Sequence, residues 1–125
     1  MNTLTNKLTI VEIEFLKLLK SKLKEELKDT FVDLVLFGSK ARGDSNKNSD
    51  IDLLLVITDK KHIEKADEIL FDLQMKYDLY DINMLIYSKS VYNEQLNNSK
   101  NIFLGNVKRE GIRIWIEKIR YRYQS

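Results

Sequence analysis

The chain contains no cysteine and a single histidine among its 125 residues. Without cysteine it can form neither disulfides nor thiolate metal sites, and one histidine is too few for a classical zinc site. Any bound metal must therefore be held by oxygen ligands. Oxygen ligands favour magnesium or manganese over the softer transition metals.

Long apolar runs are also missing. No stretch approaches the roughly 20 apolar residues that cross a bilayer, and the first residues, MNTLTNKL, lack the apolar region of a signal peptide. We therefore expect a cytoplasmic protein that does not associate with membranes. The formal net charge of +2 is too small to indicate a general nucleic-acid binder, and no sequence-specific DNA binding is expected.

The composition that is present is that of a soluble globular protein, with 43% hydrophobic and 32% charged residues. A chain of this length fits one domain with one core, so we predict a single domain over residues 1–125. Little room is left for a separate substrate-binding domain. A large substrate would therefore supply part of the site itself.

Hydrophobic periodicity predicts alternating helices and strands. A capping box of Thr9 and Glu12 opens an amphipathic helix at about 9–29. The elements predicted after it are a strand at 31–37, a strand at 50–58, a helix at 60–75, a strand at 80–87 and one or two helices within 90–110. The tail after Gly111 fits two structures. Its isoleucines alternate as in a strand, whereas a different subset with Trp115 has helical spacing.

An acidic pair, Asp50 and Asp52, begins the second predicted strand. Side chains two apart on a strand point to the same side, so the two carboxylates can converge on one place. A divalent cation between them would remove their mutual repulsion. The apolar residues 53–57 supply no polar group that would neutralise the pair. For an isolated pair of this kind, the alternative is an ordinary strand start with two exposed acids.

A possible phosphate-binding turn, Gly38 and Ser39, directly follows the first predicted strand. Glycine lets the backbone approach a phosphate closely, and the serine offers a hydroxyl. A Gly-Ser pair alone is commonly just a turn, and the P-loop pattern is absent from the chain. Arg42 could contact a phosphate or pair with Asp44, and the sequence does not decide between these roles.

Taken together, Gly38-Ser39-Lys40-Ala41-Arg42-Gly43-Asp44 and Ser49-Asp50-Ile51-Asp52-Leu53 resemble the signature of the polymerase β-like nucleotidyltransferase superfamily. The small size, the Ala-Arg-Gly-Asp continuation and the Arg-Glu-Gly at 109–111 are similar to its minimal nucleotidyltransferases, the MNT proteins. The resemblance covers about 31–111, which would be the catalytic core, and 38–53 is its most distinctive part. It implies an α+β fold in which helices flank a short mixed β-sheet.

The resemblance also implies a third carboxylate on a neighbouring strand. Asp81 matches that position because it precedes an aliphatic residue and lies on the polar face of its strand; Asp78 is the alternative. Asn83 departs from the pattern, since many relatives have an aliphatic residue there. By the resemblance, Asp50, Asp52 and Asp81 would hold two Mg2+ ions, or Mn2+ ions, while Ser39 and the amides around it would hold the phosphates of ATP.

MNT proteins often accompany a HEPN-domain toxin. The resemblance therefore implies an antitoxin that transfers AMP from ATP to a tyrosine of such a partner. Two alternatives belong to other classes of function. One is an antitoxin that neutralises its partner by binding alone, and the other is a nucleotidyltransferase that modifies a small molecule such as an aminoglycoside.

Overall fold

The computed structural model describes residues 8–38, 50–98, 100–110 and 112–113. Their elements follow in the order α1 (Ile10–Leu27), β1 (Phe31–Phe37), β2 (Ile51–Ile57), α2 (Ile63–Tyr77), β3 (Ile82–Ser88), α3 (Lys89–Leu96), α4 (Ile102–Glu110) and β4 (Ile112–Arg113). Short 3-10 turns at Lys28–Thr30 and Lys60–His62 precede β1 and α2. The predicted α+β fold with helices around a short mixed sheet is confirmed, with element ends shifted by a few residues.

The four strands form one sheet in the order β3-β2-β1-β4. β1 runs antiparallel to both β2 and β4, whereas β2 and β3 are parallel. The parallel pair is joined through α2, as a crossover connection requires. Since parallel strands begin at the same edge of a sheet, the residues that precede β2 and β3 lie beside each other there. Of the tail, only Ile112 and Arg113 are described, and they are a strand.

Helices α1 and α2 cover one face of the sheet. The capping box predicted for α1 is present: the Thr9 hydroxyl accepts a hydrogen bond from the Glu12 amide at 3.0 Å, and the Thr9 amide donates to the Glu12 carboxylate at 2.9 Å. From this start α1 directs a row of leucines inward. The main core on this face includes Leu16, Leu19, Leu23, Leu34, Leu36, Leu53, Leu55, Ile57 and Leu70.

The opposite face of the sheet is covered by α3 and α4. A second, smaller core there contains Val35, Leu54, Val56, Leu104 and Val107, with Tyr92 and Leu96 packed against it. β2 therefore has apolar neighbours on both of its faces, which explains its continuous apolar run. Asp50 and Asp52 have the same parity as Leu54 and Val56, so they belong to this second face.

None of the helices in the described ranges is long and apolar enough to cross a membrane.

Truncation of a buried side chain on β2 tests whether this strand is central to the packing on both faces of the sheet. Leu53 is fully buried, so Leu53→Ala should lower the free energy of unfolding by about 2–5 kcal/mol through lost burial and a residual cavity. Leu85 on β3 is 42% exposed, and Leu85→Ala should cost less than about 1 kcal/mol. Urea denaturation measures both. Equal losses in the two variants would contradict the central position of β2.

Candidate functional site

The candidate site lies where β2 and β3 begin side by side. Asp50 directly precedes β2 and is exposed, and Asp52 is the second residue of the strand and half-buried. In the parallel register, Ile51 lies opposite Ile82 and Asp52 opposite Asn83. The Ile51 amide also donates a 2.9 Å hydrogen bond to the backbone carbonyl of Asp81. The two aspartates therefore meet the start of β3 at one edge of the sheet.

One amide joins the two carboxylates. The Nδ2 atom of Asn83 donates to Oδ2 of Asp50 at 3.2 Å and to Oδ1 of Asp52 at 3.4 Å. Both acceptor oxygens therefore lie within 3.4 Å of the same nitrogen. Asp50 and Asp52 thus converge on one point, as the spacing of the acidic pair predicts, and Asn83 lies at that point.

Asn83 is the site residue that sequence analysis missed. The alternation of β3 already places Asn83 on the same face as Asp81, but alternation alone does not show which strand lies beside it. The register of β3 against β2 supplies that information, because it sets Asn83 directly beside Asp52. Apart from this alternation, one signal was available in the sequence, a polar residue where an aliphatic one is common.

Asp81 lies at the entrance of β3 with an exposed side chain. At the site, its backbone carbonyl accepts the hydrogen bond from the Ile51 amide. Within the described parts of the chain, no three Asp, Glu, His or Cys residues are grouped closely enough to hold a metal ion. The structure therefore brings Asp50 and Asp52 together without joining the Asp81 carboxylate to them, and its role as third ligand stays a prediction.

Gly38 borders the site from the other side. Phe37 at the end of β1 pairs with Asp52 across the antiparallel ladder, so Gly38 follows directly beside that carboxylate. Its φ of +76° is a conformation that other residues rarely adopt, and a Cβ atom built on it would lie 2.5 Å from Oδ2 of Asp52. Only glycine leaves this carboxylate its space. Ser39, predicted to contact phosphate, and Arg42, for which phosphate contact is one of two predicted roles, fall outside the described residues.

An aromatic pair adjoins the carboxylates on the β1 side. The rings of Phe37 and Phe103 meet edge to face, with centroids 5.4 Å apart and planes at 83°. Phe103 on α4 is 40% exposed, so part of this pair faces the solvent. Phe37, which pairs with Asp52 across the two strands, thus forms an apolar border to an otherwise acidic site.

The donor set fits a hard divalent cation. Two carboxylates converge on one point, and Mg2+ commonly takes one or two carboxylates and completes its coordination with waters and substrate phosphates. The absence of a Cβ at Gly38 leaves Oδ2 of Asp52 the space that it occupies. The described residues of the site can therefore hold a magnesium or manganese ion and present it to an anionic substrate.

A family model and two sequence relatives match this chain. The profile of the family described as "Nucleotidyltransferase domain" matches residues 16–122. Two candidate protein adenylyltransferases of Methanocaldococcus jannaschii are similar in sequence. One is 31% identical over 105 residues, which are 82% of this chain and 97% of the relative. The other is 36% identical over 98 residues, which are 78% of this chain and 88% of the relative.

Solved structures share the fold. A chain of a toxin–antitoxin complex with AMP-PNP superposes with a TM-score of 0.53 at 20% identity, covering 86% of each chain. A chain of a variant MntA–HpeT toxin–antitoxin complex gives a TM-score of 0.52 at 19% identity, again covering 86% of each chain. At these identities the likeness establishes the architecture of the sheet and its helices.

Two glycine substitutions test the steric argument at Gly38. Gly38→Ala should lower the free energy of unfolding by at least about 1–2 kcal/mol, because alanine is strained at positive φ and its Cβ meets Asp52. It should also weaken Mn2+ binding by displacing that carboxylate. Gly105 in α4 has room for a Cβ, whose nearest neighbour would be 3.7 Å away.

Gly105→Ala should therefore raise the free energy of unfolding by about 0.5–1 kcal/mol through higher helix propensity. Chemical denaturation and Mn2+ titration of both variants provide the comparison. Mn2+ binding by Gly38→Ala at the wild-type level would show that Asp52 does not need the space beside Gly38.

Proposed function

Since this chain belongs to the nucleotidyltransferase domain family, we propose that it transfers AMP from ATP to a hydroxyl group with the help of divalent metal ions. The observation that carries this proposal is the convergence of Asp50 and Asp52 on one point beside Gly38. Such an arrangement is suited to a metal ion that must also meet a triphosphate. Mg2+ is the proposed ion, and Mn2+ can replace it.

The carboxylates have distinct proposed roles. Asp50 and Asp52 would hold the two metal ions, and Asp81 would supply a further carboxylate ligand. Bound metal supplies positive charge to the triphosphate and makes the hydroxyl more acidic. The acceptor oxygen then bonds to the α-phosphorus, the bond between the α- and β-phosphates breaks, and pyrophosphate leaves. The hydroxyl proton passes to a carboxylate of the site, for which Asp81 is the candidate.

Gly38 and the residues after it have a positioning role in this proposal. The backbone at Gly38 lies against Asp52 with no side chain between, so a phosphate bound at this backbone would lie close to the carboxylates that would hold the metal. Ser39 and Arg42 follow Gly38 in the sequence and are proposed to hold the terminal phosphates of ATP. Holding the triphosphate there would keep the α-phosphorus in line with the acceptor.

We propose a protein as the acceptor, specifically a tyrosine of a HEPN-domain toxin, whose modification would make this chain its antitoxin. Both sequence relatives are named as candidate protein adenylyltransferases, and chains of toxin–antitoxin complexes share the fold. Asp50 and Asp81 are exposed, so the side chain of another protein can reach the site.

The central test is AMP transfer from labelled ATP with Mg2+ onto a HEPN-domain protein from the same organism. Loss of a residue that only hydrogen-bonds to a metal ligand can lower activity by roughly 100-fold. Asp50→Asn and Asp52→Asn remove the proposed ligands themselves, so each should lower the rate of AMP transfer by more than that. Asp78→Asn is the matched control, because Asp78 is exposed in a left-handed conformation after α2 that asparagine adopts readily. It should retain the wild-type rate.

Transfer that survives in Asp50→Asn would overturn the metal mechanism. If the partner were bound and inhibited by the wild type without receiving label, the chain would instead act by binding alone. Label on hydroxylated small molecules, with none on protein, would identify a small-molecule nucleotidyltransferase.

The role of Asp81 needs a separate comparison. If Asp81 completes the metal site, Asp81→Asn should slow AMP transfer by at least about tenfold while leaving the free energy of unfolding within about 0.5 kcal/mol of wild type. Its carboxylate is exposed, so the substitution removes no buried packing. Rates and denaturation midpoints of Asp81→Asn and Asp78→Asn should be measured together. A normal rate in Asp81→Asn alongside a slow Asp78→Asn would transfer the assignment to Asp78.

A further inference from the structure

We propose that Asn83 takes the place of the bridging cation when no metal is bound, so that its amide holds Asp50 and Asp52 together and competes with metal for them. The inference rests on the proposed metal site and concerns how that site is kept ready. It makes Asn83 a positioning residue that acts through the two carboxylates. Sequence alternation and the family signature give it no such role.

The geometry of the amide supports this role. A side-chain NH2 group carries two hydrogens, and an ionised carboxylate only accepts hydrogen bonds. Nδ2 of Asn83 lies 3.2 Å from Asp50 and 3.4 Å from Asp52, so one nitrogen can direct one hydrogen to each aspartate. A cation shared by the two carboxylates would have to make contacts with the same two side chains from the same region.

The position of Asn83 on β3 makes these contacts a consequence of the fold. Asn83 is paired with Asp52 in the parallel ladder, and paired residues present their side chains to the same face of a sheet. β3 is packed on the other face through Ile82, while Asn83 itself is exposed. The amide is thus held at the carboxylates by a rigid strand, with no packing role of its own.

A neutral donor has a particular effect on such a site. Two neighbouring carboxylates repel each other, and hydrogen bonds to their charged forms offset that repulsion without adding charge. The site can therefore keep both aspartates in place before metal arrives. The same bonds must be given up when a cation binds between the carboxylates, so the amide lowers the affinity for metal while it maintains the geometry.

The test is Mn2+ binding to the intact chain, measured by isothermal titration calorimetry or electron paramagnetic resonance. Asn83→Leu removes the donor at nearly constant size, and Asn83→Ala removes it without adding apolar surface. Each should bind Mn2+ about three- to tenfold more tightly than wild type, because no hydrogen bonds to charged groups are lost on binding. Asn93→Leu, at an exposed position of α3, is the control and should bind as wild type does.

Thermal unfolding gives a second readout. The increase in Tm on addition of Mn2+ should be larger for Asn83→Leu and Asn83→Ala than for wild type, since tighter binding stabilises the folded state more. Comparing this increase within each variant removes any effect of the substitution on the metal-free protein. A purely structural role for Asn83 would change the metal-free Tm and leave the increase unaltered.

The outcomes separate the inference from the function on which it rests. If wild type binds Mn2+, Asp50→Asn does not, and the Asn83 variants bind no more tightly than wild type, the inference is wrong and the metal site stands. If wild type and Asp50→Asn are equally unable to bind Mn2+, the metal site fails and the inference fails with it.

Discussion

The parallel pairing of β2 with β3 is the constraint on which the site depends. It sets Asp52 beside Asn83 and brings the backbone of Asp81 against Ile51, so residues thirty positions apart in the chain meet at one sheet edge. β2 is held in this register by cores on both of its faces. Chemistry at the edge therefore relies on apolar packing further along the same strand.

The two neighbours of β2 contribute different things to the acidic pair. From β3 comes a donor, since the amide of Asn83 reaches both carboxylates. From β1 comes space, since Gly38 approaches Asp52 without a side chain. A mixed sheet makes this possible because the antiparallel strand β1 ends at the edge where the parallel strands β2 and β3 begin. Polar function is thus confined to one end of a strand that is otherwise apolar.

Much of the fold followed from local patterns. The capping box of Thr9 and Glu12 marked the start of α1, and the apolar runs located all three long strands, because these signals depend on neighbours in the sequence. The convergence of Asp50 and Asp52 was equally accessible, since period-two geometry holds along any strand. Gly38 was assigned to phosphate from its position in a motif. Its steric relation to Asp52 could not be foreseen, because it arises from an antiparallel register that composition does not encode.

The alternation of acidic and apolar residues from Asp50 to Leu53, where β2 begins, has a further consequence for how the sheet assembles. Asp52 is followed by Leu53, which is fully buried on the opposite face. A slip of β2 by one residue against its neighbours would exchange the two faces and carry a charged carboxylate into the leucine core. Incorrectly paired sheets are thereby penalised during folding. The residues proposed for catalysis would also act as a check on strand register.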